Sequence, residues 1–394
     1  MSRSHVERIA DAVLYEGYIL YPYRPSAVKN QQRWNFGALC PKSYSLAQRG
    51  TERWSMQTEC LVQSSAETVL EVKVRFLQLL TREVSVPNAD VGFPISDLAR
   101  EEIQTSISES DFRVVPSLEV NGQLFQTWQE AVERDVVLPG IRLVNSNSDA
   151  QPQRLMFSLP ATQTIKPLRD ENGGEILGLL VRRQQAMEGA LEIRISEIGL
   201  RNDELAPGLP ETKHLLSEGP DPPAGSKTQP KNLLKITVEI LNLTPLEDAG
   251  EKSRDEALMR SLVSTHTILN VRDGEFVSLL DPPDAFREAA AGCGNIGTYP
   301  VLVGEEGARD CMLSSPIILY DYPQIAPESA GNLFDGTEID EILTLRIMTL
   351  TEEEKREMRG ADERARQILE RTETLPLEQL MKMHGAMKGV NRKS

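Results

Sequence analysis

Apolar and polar residues alternate along most of the chain, which is the pattern of strands that bury one face. The runs with this pattern cover residues 54–62, 71–84, 114–128, 154–159, 176–183, 190–200, 233–243, 265–280 and 312–322. Asn121-Gly122 lies between two short strand-like runs, as in a two-residue hairpin turn, and Asn172-Gly173-Gly174 and Asp273-Gly274 offer the same chemistry. Few long helical patterns lie between these runs. We therefore predict an α+β protein that is predominantly antiparallel β, arranged as a sandwich or an open barrel.

The two ends of the chain have helical patterns. Residues 6–15 place Val6, Ile9, Ala10, Val13 and Leu14 on one face, which predicts a short N-terminal helix. Near the other end, a threonine at 351 followed by a glutamate at 354 forms a capping-box signature, and a helix is predicted from there to about residue 371. A proline at 376 then opens a second predicted helix. The expected organisation is a β-rich body over residues 1–350 and a C-terminal helical hairpin within residues 351–394.

Residues 201–231 differ from their surroundings, because they contain six prolines and three glycines in 31 positions. This composition predicts a mobile excursion with no packed core of its own. Both flanks are strand-like, so the segment is either a linker between domains or an insertion between two paired strands. We favour the insertion.

Charge narrows the class of partner. Forty-three Lys and Arg against 59 Asp and Glu give a net charge of −16, which opposes binding to nucleic acid or to anionic lipid. A basic protein or a metal-bearing partner fits better.

No run of about 18 apolar residues occurs, and the start lacks the features of a secretory signal, so no membrane span and a cytoplasmic location are expected.

The first 60 residues hold eight of the 20 aromatic residues, and positions 24–53 carry six basic residues against one acid. Aromatic and arginine side chains supply much of the energy of protein interfaces. The predicted partner-binding residues are Tyr21, Tyr23, Arg24, Arg33 and Trp34. The alternative is that the aromatic residues fill the core while the basic residues lie on a solvated loop.

The cysteines are Cys40, Cys60, Cys293 and Cys311. No Cys-x-x-Cys spacing occurs, so these residues are weak candidates for a metal site and are read first as free thiols. No cofactor is expected. The glycines at 292, 294 and 297 lack the flanking strand and helix of a dinucleotide site. A metal- or thiol-dependent enzyme that uses Cys293 and Cys311 is the alternative to an interaction protein.

Three segments resemble a known family: YPYRPSAVKNQQRW at 21–34, PIILYDYPQIAPES at 316–329 and LFDGTEIDEILTL at 333–345. The family is an accessory protein family associated with bacterial gene clusters for uptake-type nickel-iron hydrogenases. The resemblance implies a role in assembly, maturation or interaction, with hydrogenase subunits or maturation factors as partners, and it transfers no catalytic residues. The paired Cys-x-x-Cys motifs of the hydrogenase large subunit are missing. A homo-oligomer is a further expectation.

Overall fold

The computed structural model describes residues 2–31, 33, 36–88, 109–143, 152–171, 175–198, 232–325, 333 and 340–383. In this part of the chain a large antiparallel open sheet carries helices at both ends of the sequence. The strands are β1 Ser55–Pro87, β2 Phe112–Val115, β3 Ser117–Val120, β4 Gln123–Gln126, β5 Trp128–Arg142, β6 Gln153–Leu159, β7 Thr162–Arg169, β8 Ile176–Gln184, β9 Met187–Glu197, β10 Asn232–Asn242, β11 Val263–Val277, β12 Tyr299–Leu302 and β13 Cys311–Ser315. The predicted α+β class with predominantly antiparallel β structure is confirmed, and the sheet is open.

Strand β1 is the spine of the sheet. It pairs in succession with β10, β11, β5, β8 and β2, all antiparallel. Its 33 residues contain no glycine, and a proline occurs only at the last position, so nothing in the backbone ends the strand earlier. We predicted two strands here, over 54–62 and 71–84. That division was wrong, because the polar stretch between Ser64 and Val69 forms a register shift within one strand.

The sheet folds over its main core. Its path runs β12-β13-β11-β1-β10-β9-β6, and β5 and β8 also pair with β1. Phe76 on β1 lies 6.1 Å from Phe157 on β6, measured between ring centroids, although these strands are not neighbours in the sheet. Leu138 and Ile141 of β5 pack against the same core. The apolar faces of distant strands therefore meet across one interior, as alternation predicts for strands with one buried face.

The three predicted turns have different outcomes. Asn121 and Gly122 both adopt positive φ between β3 and β4, so this hairpin is confirmed. Asp273-Gly274 was wrongly predicted as a hairpin. It lies inside β11 opposite the irregular part of β1, where Thr68 Oγ1 donates to the carbonyl of Asp273. Asn172-Gly173-Gly174 lies outside the described residues.

The helices are α1 Ser2–Tyr15, α2 Val28–Gln31, α3 Lys42–Ala47, α4 Arg254–Leu258, α5 Arg287–Ala291, α6 Asp340–Met348, α7 Glu352–Ala361, α8 Glu363–Glu373 and α9 Leu377–Met383. The N-terminal helix and the capping box at Thr351 are confirmed. The single helix predicted from there to residue 371 is wrong. Asp362 is extended and caps α8 through the amide of Ala365, which divides the segment into α7 and α8.

The excursion at 201–231 lies outside the described residues. Its flanking strands pair with each other, with Ile195 of β9 opposite Ile236 of β10, which supports an insertion between paired strands. In the described portion of the chain, no helix is long and apolar enough to cross a membrane.

Candidate partner-binding surface

Tyr23 belongs to the interior. Its side chain is fully buried, and its hydroxyl donates a 2.9 Å hydrogen bond to the carbonyl of Leu333, which is 310 residues away in the sequence. The aromatic ring packs in a cluster formed by α1, β1 and helices α6 to α8. Tyr23 therefore joins the N-terminal segment to the C-terminal helices and has no surface to offer to a partner.

Arg33 is also buried, with 6% of its surface exposed. Its guanidinium donates to the backbone carbonyls of Tyr18 and Gln129 and lies 3.9 Å from the ring centroid of Trp128. Burial lowers the pKa of Arg33 to about 10, while Tyr18 and Asp362 act in the opposite direction. The side chain therefore stays charged at neutral pH. The prediction that Tyr23 and Arg33 lie in an exposed partner-binding site needs correction, because both side chains make their contacts inside the protein.

Tyr21 and Arg24 remain partly exposed, next to the C-terminal helices. Arg24 forms ion pairs with Glu354 at 3.2 Å and Glu357 at 3.5 Å on α7. The ring of Tyr21 lies 5.4 Å from the guanidinium carbon of Arg346 on α6. These contacts place the exposed part of the predicted segment beside α6 and α7. Trp34 lies outside the described residues.

Helix α6 is apolar on two faces. Leu343 and Ile347 are fully buried against the rest of the protein. Ile342, Leu345 and Met348 are spaced three residues apart and are 41%, 44% and 49% exposed. We call these three residues the α6 face. Exposed apolar residues in a row along one side of a helix are typical of a surface that contacts a partner.

Sequence reasoning did not identify the α6 face, although one signal was present. The stretch from Ile342 to Met348 has five apolar residues in seven, which is more than one buried helix face requires. The first turn of α6 is acidic, because it contains Asp340 and Glu341, and Arg346 lies near the end of the helix.

The four cysteines do not form a common site, although Cys60 and Cys293 lie near enough to interact. Each lies in or against a different hydrophobic cluster: Cys40, Cys60, Cys293 and Cys311. Burial raises the pKa of Cys293 to about 11 and that of Cys311 to about 12, so both are protonated thiols at neutral pH. No group of three or more His, Cys, Asp or Glu side chains suited to a metal ion occurs within the described ranges.

The backbone of the glycine-rich loop at 292–297 binds a carboxylate of the protein itself. Glu59 accepts a 2.7 Å hydrogen bond from the amide of Gly294, and Gln57 donates to the carbonyl of the same residue. Burial acts to raise the pKa of Glu59, but hydrogen bonds from Gly294, Thr237 and Lys235 outweigh it and hold that pKa below its usual value. The amide that a phosphate would need is therefore already bound to an anion.

A scan against protein-family models and a search of curated proteins found no match to this chain.

Proposed function

We propose that this chain is a non-catalytic accessory protein that acts in the cytoplasm and binds a component of a nickel-iron hydrogenase or an intermediate in its maturation. The observation that carries the proposal is the α6 face. Ile342, Leu345 and Met348 are between 41% and 49% exposed on a helix that already buries its other side. The identity of the partner rests on the three segments that resemble the hydrogenase-associated family.

Described residues of two of those segments meet beside α6. The buried Tyr23 hydroxyl donates to the Leu333 carbonyl inside the protein. Tyr21 adds an aromatic side chain beside Arg346. A partly exposed tyrosine next to an arginine supplies two of the residue types that dominate interface energies, and the aliphatic row adds apolar contact area. The acidic start of α6 and the net charge of −16 favour a partner with a basic contact region.

The test is co-purification from the native host. Tagged wild-type chain is compared with the double variant Ile342→Ser/Leu345→Ser, and captured proteins are identified by mass spectrometry. Hydrogenase subunits or maturation proteins should be enriched by the wild type and reduced about thirtyfold or more by the double variant, as for the loss of a hot spot worth about 2 kcal/mol. Met156→Ser is the control, because Met156 is 56% exposed on β6, away from α6.

The melting temperature of each variant is measured as well, because Ile342 and Leu345 are 41% and 44% exposed and the double variant should lose some stability through buried apolar area and helix propensity. Capture is compared at a temperature at which all three proteins are folded. The proposal is wrong if hydrogenase proteins are absent from the wild-type sample. It is also wrong if the folded double variant captures them as well as the Met156→Ser control does.

A further inference from the structure

Two adjoining cavities lie between the β3–β4 hairpin and the helices α7 and α8. Their volumes are about 740 Å³ and about 310 Å³. They share five lining residues: Gln123, Leu124, Arg359, Gly360 and Arg366. The larger cavity is open towards solvent, and the smaller one reaches the sheet. Together they form a cleft whose size suits a small organic molecule.

Gly360 holds the wall of the cleft in place. A Cβ atom at this position would lie 2.8 Å from the carbonyl oxygen of Leu124, so α7 approaches β4 more closely than any other residue permits. The carbonyl of Gly360 accepts a 2.7 Å hydrogen bond from Arg82, whose side chain is buried on β1. The cleft is therefore bounded by backbone that is fixed to the sheet.

The inner cavity is rich in positive charge. Three of its lining residues are acidic: Glu130, Asp362 and Glu363. Six are basic: Arg82, Lys166, Arg182, Arg359, Arg364 and Arg366. This excess contrasts with the net charge of −16 for the whole chain.

Carboxylates outside the cavity neutralise part of that excess. Arg359 binds Glu373, and Arg364 lies 3.2 Å from Glu133. Arg366 pairs with Glu363 within the lining. The charge that is left unbalanced therefore lies on the side formed by the sheet.

The sheet side has three cations for one carboxylate. Arg82 on β1 lies directly opposite Arg182 on β8, and both bind Glu130, at 2.9 Å and 2.7 Å. Lys166 on β7 is opposite Leu180, two positions from Arg182, so it projects from the same face of the sheet. Lys166 is exposed and forms no ion pair with any residue that the structure describes. Asp362, which also lines the cavity, offsets part of the charge of Arg82. Lys166 therefore carries the positive charge on this floor that no carboxylate of the described residues balances.

We propose that this cleft binds a small polyanion, a molecule that carries two or more carboxylate or phosphate groups. Guanidinium groups bind such groups through paired hydrogen bonds, and an ammonium group adds an adjustable point charge. Arg182 and Lys166 on the floor would hold one anionic group. At the outer rim Arg356 is half exposed and pairs with Glu119 at 3.4 Å, so a second anionic group would bind there by displacing that carboxylate. This inference does not depend on the proposed function, because the cleft is separate from the α6 face.

Isothermal titration calorimetry with citrate and, separately, inorganic pyrophosphate tests the proposal on the full chain at low salt. At least one of the two should bind saturably, and the preferred one indicates whether the ligand class is carboxylate or phosphate. Lys166→Gln should weaken that binding about tenfold or more, the loss expected for one charged hydrogen bond. Lys166→Arg should restore most of it.

Arg194→Gln is the matched control, because Arg194 is an exposed strand arginine on β9 that does not line the cleft. Lys166 has no described ion-pair partner, so Lys166→Gln should leave the melting temperature unchanged and separate lost binding from unfolding. Absence of saturable heat with both anions would overturn the proposal. Equal binding by the Lys166→Gln and Arg194→Gln variants would also overturn it, since the anion would then bind elsewhere.

Discussion

The hydroxyl of Tyr23 donates to the backbone carbonyl of Leu333, and this bond spans 310 residues of sequence. Both residues are buried in the cluster that joins the N-terminal segment to helices α6 to α8. If a buried carbonyl loses its hydrogen-bond donor, the free-energy cost of removing that carbonyl from water is no longer compensated. The bond therefore helps to position the helix that carries the α6 face.

Changing Tyr23 to Phe keeps the ring and removes the hydroxyl that donates to Leu333. We expect the free energy of unfolding to fall by about 1 kcal/mol, measured by urea denaturation. Tyr320→Phe is the matched control, because Tyr320 is 86% exposed and its hydroxyl is in water. Equal stability of the two variants would show that the bond to Leu333 contributes nothing.

Arg33→Lys tests whether Arg33 acts inside the protein. Lysine retains the charge but loses the flat contact with Trp128 and the forked donation to Tyr18 and Gln129. We expect a loss of about 2 kcal/mol or more of stability in chemical denaturation. Capture of partners by the folded protein should stay at the wild-type level. If the variant is as stable as the wild type but captures partners less well, Arg33 belongs to the partner interface.

The main strands could be predicted from alternation because each of them buries one face. The run at 233–243 is β10, Asn232–Asn242, almost to the residue. Strand β5 was missed beyond its first residue. Its sequence WQEAVERDVVLPGIR mixes charges with apolar residues without a regular period, and it is a strand because it pairs along β1. Tertiary pairing of this kind overrides local pattern.

The break at Asp362 could not be predicted for a similar reason. Gly360 lies two residues before it, but a single glycine within a helical pattern is often tolerated, and the apolar stripe continues through the position. What ends α7 there is visible only in three dimensions: Arg82 binds the carbonyl of Gly360, and Asp362 turns to cap the next helix. Likewise, composition located the aromatic and basic segment but could not show that Tyr23 and Arg33 face inward.

Gly360→Ala should destabilise the protein although alanine is the better helix former. Helix propensity alone favours alanine by about 1 kcal/mol. The new Cβ would meet the Leu124 carbonyl at 2.8 Å, and such overpacking costs about 1 to 3 kcal/mol. We therefore expect a net loss in urea denaturation. Gly250→Ala serves as the control, because a Cβ there meets nothing within 4 Å. A gain in stability for Gly360→Ala would refute the close packing of α7 on β4.

His266 should make the free energy of unfolding depend on pH. This dependence should occur at pH values above those at which carboxylates titrate. It is fully buried on β11, as expected for a structural histidine, and its Nδ1 lies 3.0 Å from the carbonyl of Ser264. Burial lowers the pKa of His266 to about 4, with Arg75 and Lys73 acting in the same direction and Asp135 and the Ser264 carbonyl opposing them.

In the unfolded chain the pKa of a histidine is about 6.5, so between pH 6.5 and 4 the unfolded state binds a proton that the folded state does not. The folded protein should therefore have its full stability above pH 6.5 and lose about 1.4 kcal/mol per pH unit as the pH falls towards 4. Urea denaturation at pH 7.5 and pH 5 measures this loss, about 2 kcal/mol for the wild type. In His266→Gln this part of the dependence should vanish, whatever the absolute stability of the variant. If the wild type and His266→Gln lose the same free energy between the two pH values, the neutral buried histidine is not the cause.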